Sequence, residues 1–157
     1  MVRRHLLPAV ALLAAACATD ANRVPVRRAP LLVSLERAGC PLGGCPSYLL
    51  ELTEDGWLTY RGRKDVAVEG LQNSQLSPAD VEQVKALFEH AGFYELEGNF
   101  ECMESTNAPT VTVGYHLNGR HKTLVHFHGC TSTPGVEKLT GLEDELDRLF
   151  NTVRWVK

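Results

Sequence analysis

The chain has 157 residues, carries 16 Lys and Arg against 19 Asp and Glu, and has a formal charge of −3. A mildly acidic balance with no basic face excludes a protein held to nucleic acid by phosphate contacts. The length leaves room for one small domain with a real core, and no internal repeat divides it.

The first residues read as an address. Met1-Val-Arg-Arg-His5 is a short basic head and Leu6 to Ala16 is an apolar run of about 11 residues, which together predict a secretory signal over residues 1–16. A membrane-spanning helix needs about 20 apolar residues, so the run is too short to stay as one. Leu13-Ala-Ala-Ala-Cys17 resembles a bacterial lipobox, with Ala14 where leucine is usual; cleavage before Cys17 would leave that cysteine carrying acyl chains such as palmitate. The alternative is plain secretion, with cleavage after Ala14-Ala15-Ala16.

Parity bears on the choice. There are five cysteines, Cys17, Cys40, Cys45, Cys102 and Cys130, and an odd one in an exported protein needs a special role. Lipid on Cys17 leaves four, enough for two bridges in an oxidising compartment. The expected location is the bacterial cell envelope, with membrane attachment through lipid. Ala18 after the lipidated cysteine points to the outer membrane facing the periplasm. A chain not lipidated at Cys17 would be secreted. Losing residues 1–16 removes Arg3 and Arg4 and leaves 14 basic against 19 acidic residues, about −5. Residues 17–30 lack apolar periodicity, contain Pro25 and Pro30, and read as a flexible tether.

From Leu31 onward the pattern is that of a single α+β domain over residues 31–157. Leu31–Leu35 predicts a first strand. Tyr48–Thr53 and Trp57–Arg61 flank Asp55-Gly56, a strong hairpin signal, and Val66–Val68 suggests a further short strand. Ser77-Pro-Ala-Asp80 supplies a serine cap, a proline at the first helical position and an acid in the first turn. Val81, Val84, Leu87, Phe88 and Ala91 follow at helical spacing, and Gly92 ends the helix. A second hairpin runs Thr110–His116, turns at Asn118-Gly119 and returns through His121–His128. Thr140-Gly-Leu-Glu143 reads as a capping box opening a last helix with the stripe Leu142, Leu146, Leu149 and Val153. The simplest assembly is an antiparallel sheet built from hairpins with both helices packed on one face.

Cys40, Gly44-Cys-Pro-Ser-Tyr48, Asp55-Gly56, Tyr60, Gly62, Ala91-Gly-Phe93, Leu96, Ala108-Pro-Thr110, Gly119 and Leu142-Glu143 together resemble the bacterial DUF6438 family, a family of unknown function. The similarity runs from about Leu31 to the end. Asn107 stands where the family is expected to carry an aspartate. The resemblance implies a common fold and an envelope setting, and brings no activity, substrate or cofactor.

Cys40 and Cys45 are separated by Pro-Leu-Gly-Gly, short and flexible enough for a local disulfide contributing about 2 kcal/mol. A redox motif would place Cys-x-x-Cys at a helix start; here proline follows each cysteine and a strand comes next. Cys102 and Cys130 are then partners by elimination, with a larger loop worth about 3–4 kcal/mol. Four cysteines allow three connectivities, of which this is the favoured one.

His126-Phe-His128-Gly-Cys130 is the sharpest candidate for chemistry. Alternate strand residues share a face, which brings both imidazoles and the Cys130 thiol together, and two histidines plus a thiolate suit zinc or copper; an oxidised Cys130 cannot ligate. The two-residue Asn118-Gly119 turn sets Val113 opposite Leu124 and Val111 opposite His126, which makes a semi-buried core histidine the competing expectation. Glu95, Glu97, Glu101 and Glu104 surround Cys102 and read as a solvated loop rather than a calcium site. Trp57 and Tyr60 lie on opposite parities of one strand, so one of them is available to a partner. Catalytic motifs (Gly-x-Ser-x-Gly, His-Glu-x-x-His, a phosphate loop) are missing. The sequence thus predicts a non-enzymatic, disulfide-stapled lipoprotein without cofactor, contacting an envelope protein or a small ligand. The alternative is a metal-binding lipoprotein using His126 and His128.

Overall fold

The computed structural model describes residues 29–98, 100–102 and 107–157. The expected signal segment, Cys17, Glu104 and all of the tether except Ala29 and Pro30 lie outside the described residues. The elements are β1 (Leu31–Ala38), β2 (Ser47–Thr53), β3 (Trp57–Lys64), β4 (Gly70–Gln75), α1 (Pro78–Ala91), β5 (Thr110–Leu117), β6 (Arg120–Phe127), α2 (Val136–Phe150) and the single turn α3 (Val153–Val156).

Six strands form one sheet in the order β4-β3-β2-β1-β5-β6, and every neighbouring pair is antiparallel. The first four strands are a meander that grows from β1 towards one edge. After α1 the chain returns to the free side of β1, where the β5–β6 hairpin pairs. The expected α+β class is the observed one.

One face of this sheet is the core. Val33, Leu35, Leu50, Leu52, Leu58, Tyr60, Val111, Val113 and Tyr115 are buried, and the registers place them side by side in a common parity. A register shift between Leu31 and Val33 inserts one extra residue into β1, so the consecutive Leu32 and Val33 are both buried. Both long helices cover this face: Phe88 of α1 stacks on Tyr115 at 4.0 Å between ring centroids, and Asp147 of α2 reaches Tyr48 of β2.

The helix predicted after Ser77 forms as its residues require. Ser77 and Asp80 cap each other's backbone N–H groups, Pro78 opens the helix, and Gly92 closes it at φ 61°. Asn118 and Gly119 both take positive φ, at 53° and 76°, as the expected tight hairpin turn demands.

Three expectations need correction. Val66–Val68 is no strand. Val68 donates its N–H to Trp155 O and accepts from the Tyr60 hydroxyl, so the C-terminal turn takes up the backbone groups that a sheet partner would need. The fourth strand is instead the polar Gly70–Gln75, which lacks apolar alternation and lies at an edge. The last helix does not start at Thr140. Gly135, in the left-handed region at φ 86°, starts it at Val136, Thr140 lies inside with its hydroxyl on Val136 O, and Val153 belongs to α3 and is exposed.

Two glycines should respond in opposite directions to alanine. A Cβ on Gly62 would stand 2.1 Å from Val68 O, whereas one on Gly141, inside α2, meets nothing within 4 Å. Gly62→Ala is expected to lower stability by about 2 kcal/mol or more, and Gly141→Ala to raise it by about 0.5–1 kcal/mol, as read by urea unfolding.

Candidate functional site

The register expected from the Asn118-Gly119 turn is the observed one: Val111 faces His126 and Val113 faces Leu124. His126 therefore points into the core, 1% exposed. Its hydrogen-bond partner there is a carboxylate. The Nδ1 of His126 lies 2.9 Å from Oε1 of Glu143, and Nε2 of His128 lies 2.7 Å from Oε2 of the same carboxylate. His128 follows β6 directly and donates its backbone N–H to Pro109 O. That bond keeps the chain beside the start of β5 and holds the second ring near the first, 4.5 Å away between centroids.

An ionised carboxylate only accepts hydrogen bonds, so both imidazoles donate to it. That fixes the tautomers: the proton sits on Nδ1 of His126 and on Nε2 of His128. The remaining nitrogen of His126, Nε2, is buried and has no hydrogen-bond partner among the described residues. Burial alone would raise the Glu143 carboxyl, but the two histidine hydrogen bonds outweigh it and hold the group below its ordinary value. A fully buried Glu is tolerated because both of its oxygens are satisfied.

His126 and His128 line a recess of about 560 Å³ together with Cys130, Thr140 and Asp144, while Glu143 is buried behind them. Cys102 and Cys130 form one disulfide and Cys40 and Cys45 the other, with Cα–Cα distances of 5.4 and 5.2 Å. The favoured connectivity is thus the observed one, and Cys130 reaches the recess as half of a cystine. Cys40 and Cys45 close the turn between β1 and β2, at the same end of the sheet as the histidines, since Arg37 of β1 pairs with Val111 and Val111 with His126. Glu95, Glu97 and Glu101 are exposed, as a solvated loop requires. Tyr60 is buried in the core while Trp57 is half-buried on the other face.

Glu143 is the residue that sequence reasoning assigned to a cap. A signal for its true place exists: Val136, Leu139, Glu143, Leu146 and Phe150 are spaced by three and four residues, and all are buried. Once the helix is started at Gly135, Glu143 falls in the centre of the apolar stripe. One turn on, Asp147 accepts from Nε and an η nitrogen of Arg37 at 2.9 and 2.6 Å and from the Tyr48 hydroxyl at 2.8 Å. Burial first, and then the Asp147 carboxylate, push the Tyr48 phenol above its ordinary value. For Arg37 burial works the other way, yet Asp147 and its companions prevail and the guanidinium is held even more firmly charged.

A sequence profile described as a domain of unknown function, DUF6438, matches residues 31–150. The chain belongs to the DUF6438 family. No curated protein matches the chain. In this DUF6438 domain the side-chain oxygen of Asn107, where an aspartate was expected, accepts the Leu42 N–H at 3.0 Å. An amide oxygen accepts as a carboxylate would. The DUF6438 match includes β1 through α2, and so contains both histidines, Glu143 and both disulfides.

Two measurements check this geometry. Glu143→Ala leaves two buried or half-buried imidazoles without their acceptor and is expected to cost about 3 kcal/mol, read as a lower urea midpoint. At high pH the buried phenols govern: burial, then the neighbouring Tyr94 and acids, push Tyr115 up to about 12, and Tyr48 and Tyr60 are raised as well. A phenol raised by folding contributes stability that is whole below the ordinary value near 10 and is lost as pH climbs through the folded one. Ultraviolet titration should therefore show these tyrosinates forming above pH 10 together with loss of folded structure.

Proposed function

We propose that this DUF6438 protein is a bacterial envelope lipoprotein, exported through residues 1–16 and attached by lipid on Cys17. Its domain works by binding an envelope protein or a small ligand rather than by turnover. The pairing of Cys40 with Cys45 and of Cys102 with Cys130 is the observation that carries the reading. Such bridges persist in an oxidising space, and they account for four of the five cysteines, which leaves Cys17 as the odd one behind an apolar run. Among the described residues no helix is long and apolar enough to cross a membrane, so in this reading attachment falls to the lipid, and an anchor with several acyl chains holds firmly. The tether from residue 17 to residue 30 would present the domain away from the bilayer, on the periplasmic side of the outer membrane. The contact surface in this reading is the recess lined by His126 and His128.

Fractionation of cells making the full chain tests it. The wild type is expected in the membrane fraction and Cys17→Ser outside it, and denatured wild-type protein purified without reductant should present no free thiol. A chain retained in the cytosol with unpaired thiols would overturn the proposal.

A further inference from the structure

We propose that His126, His128 and Glu143 bind a divalent cation of the zinc class, which would make that cation the ligand of the recess. This deepens the binding reading above and rests on it for the oxidised state of Cys130. One ligand atom from each of the three residues lies within 4.8 Å of the other two. A tetrahedral cation with bonds of about 2.0–2.2 Å separates its ligand atoms by about 3.3–3.5 Å. The two imidazole–carboxylate contacts, at 2.9 and 2.7 Å, need open by about 0.4–0.8 Å to admit it. The cation would lie where the two shared ring protons are, and each ring stays neutral by carrying its proton on its other nitrogen, Nε2 of His126 and Nδ1 of His128.

Charge and chemistry agree with this. The buried carboxylate of Glu143 and the largely buried one of Asp147 face one guanidinium, that of Arg37, so a further positive charge is favoured at the site. Two imidazoles and one carboxylate are the ligand set of zinc sites that keep a fourth position open. The two histidines line the recess together with the exposed acids Glu137 and Asp144, which are suited to drawing in a cation. Cys130 is held in its cystine and supplies no thiolate, so a thiol-seeking cation gains nothing here. An oxygen-seeking ion such as calcium would find two of the three donors to be nitrogen.

The test is zinc titration of the full-length exported protein, purified without reductant. One equivalent should bind, and the thermal midpoint should rise with free zinc as mass action requires. His128→Ala and Glu143→Gln should each weaken binding by about tenfold or more, whereas Glu95→Gln, elsewhere on the surface, should not. If the two site variants fail to fold, cobalt titration of the wild type decides by the visible bands of a four-coordinate ion. Zinc far below one equivalent in folded protein overturns the proposal. So does equal affinity in wild type and both variants, absence of the cobalt bands, or calcium binding as tightly as zinc. Membrane-bound protein with paired cystines and no zinc would remove this inference alone; zinc binding by a chain that never leaves the cytosol would remove the export reading and keep the site.

Discussion

A carboxylate without solvent contact, Glu143, occupies the middle of a helix stripe that is otherwise apolar, and α2 can lie on the sheet only because both of its oxygens are filled. The two donors come from β6 and the residue after it, so the contact ties α2 to one edge of the sheet. One turn further along α2, Asp147 repeats the arrangement with Arg37 and Tyr48, on β1 and β2. Helix and sheet are thus joined by two polar contacts that differ in kind: two imidazoles in one, a guanidinium and a phenol in the other. An apolar helix face could slide by a turn at modest cost. One whose carboxylates must meet their own donors cannot, because each misplaced charge would be left buried and unpaired.

The cystines act at other points of the same frame. Cys40–Cys45 tightens the turn that delivers the chain into β2, where Tyr48 begins the inward-facing set. Cys102–Cys130 joins the segment before β5 to the segment after β6, the two strands of the hairpin that carries His126. The backbone bond from His128 to Pro109 lies between them. The floor of the recess is therefore held by a covalent link on one side and by main-chain hydrogen bonding on the other.

Much of this was legible in the residues. The Ser77 cap, the Pro78 start, the Gly92 stop and the Asn118-Gly119 turn each state a backbone geometry locally, and the register of β5 on β6 follows from the turn alone. β4 was not legible because an edge strand needs no apolar alternation: Gln72, Asn73, Ser74 and Gln75 have little to bury. The start of α2 was missed because Gly135 caps it through its own backbone freedom and no side chain announces it. That error hid the site. With the helix begun at Thr140, Glu143 reads as a cap; with it begun at Val136, it reads as an acid in the core. Its pairing with His126 and His128 joins residues distant in sequence, and only the packing of α2 across β6 brings them together.

The position of β1 has a mechanical consequence. It is the first strand among the described residues and yet sits in the interior of the sheet, flanked by β2 and β5. Any pull transmitted from the N-terminal side enters the domain along this strand. It loads two hydrogen-bonded ladders at once and in shear, where the rungs share the force, rather than peeling them open one after another from an edge.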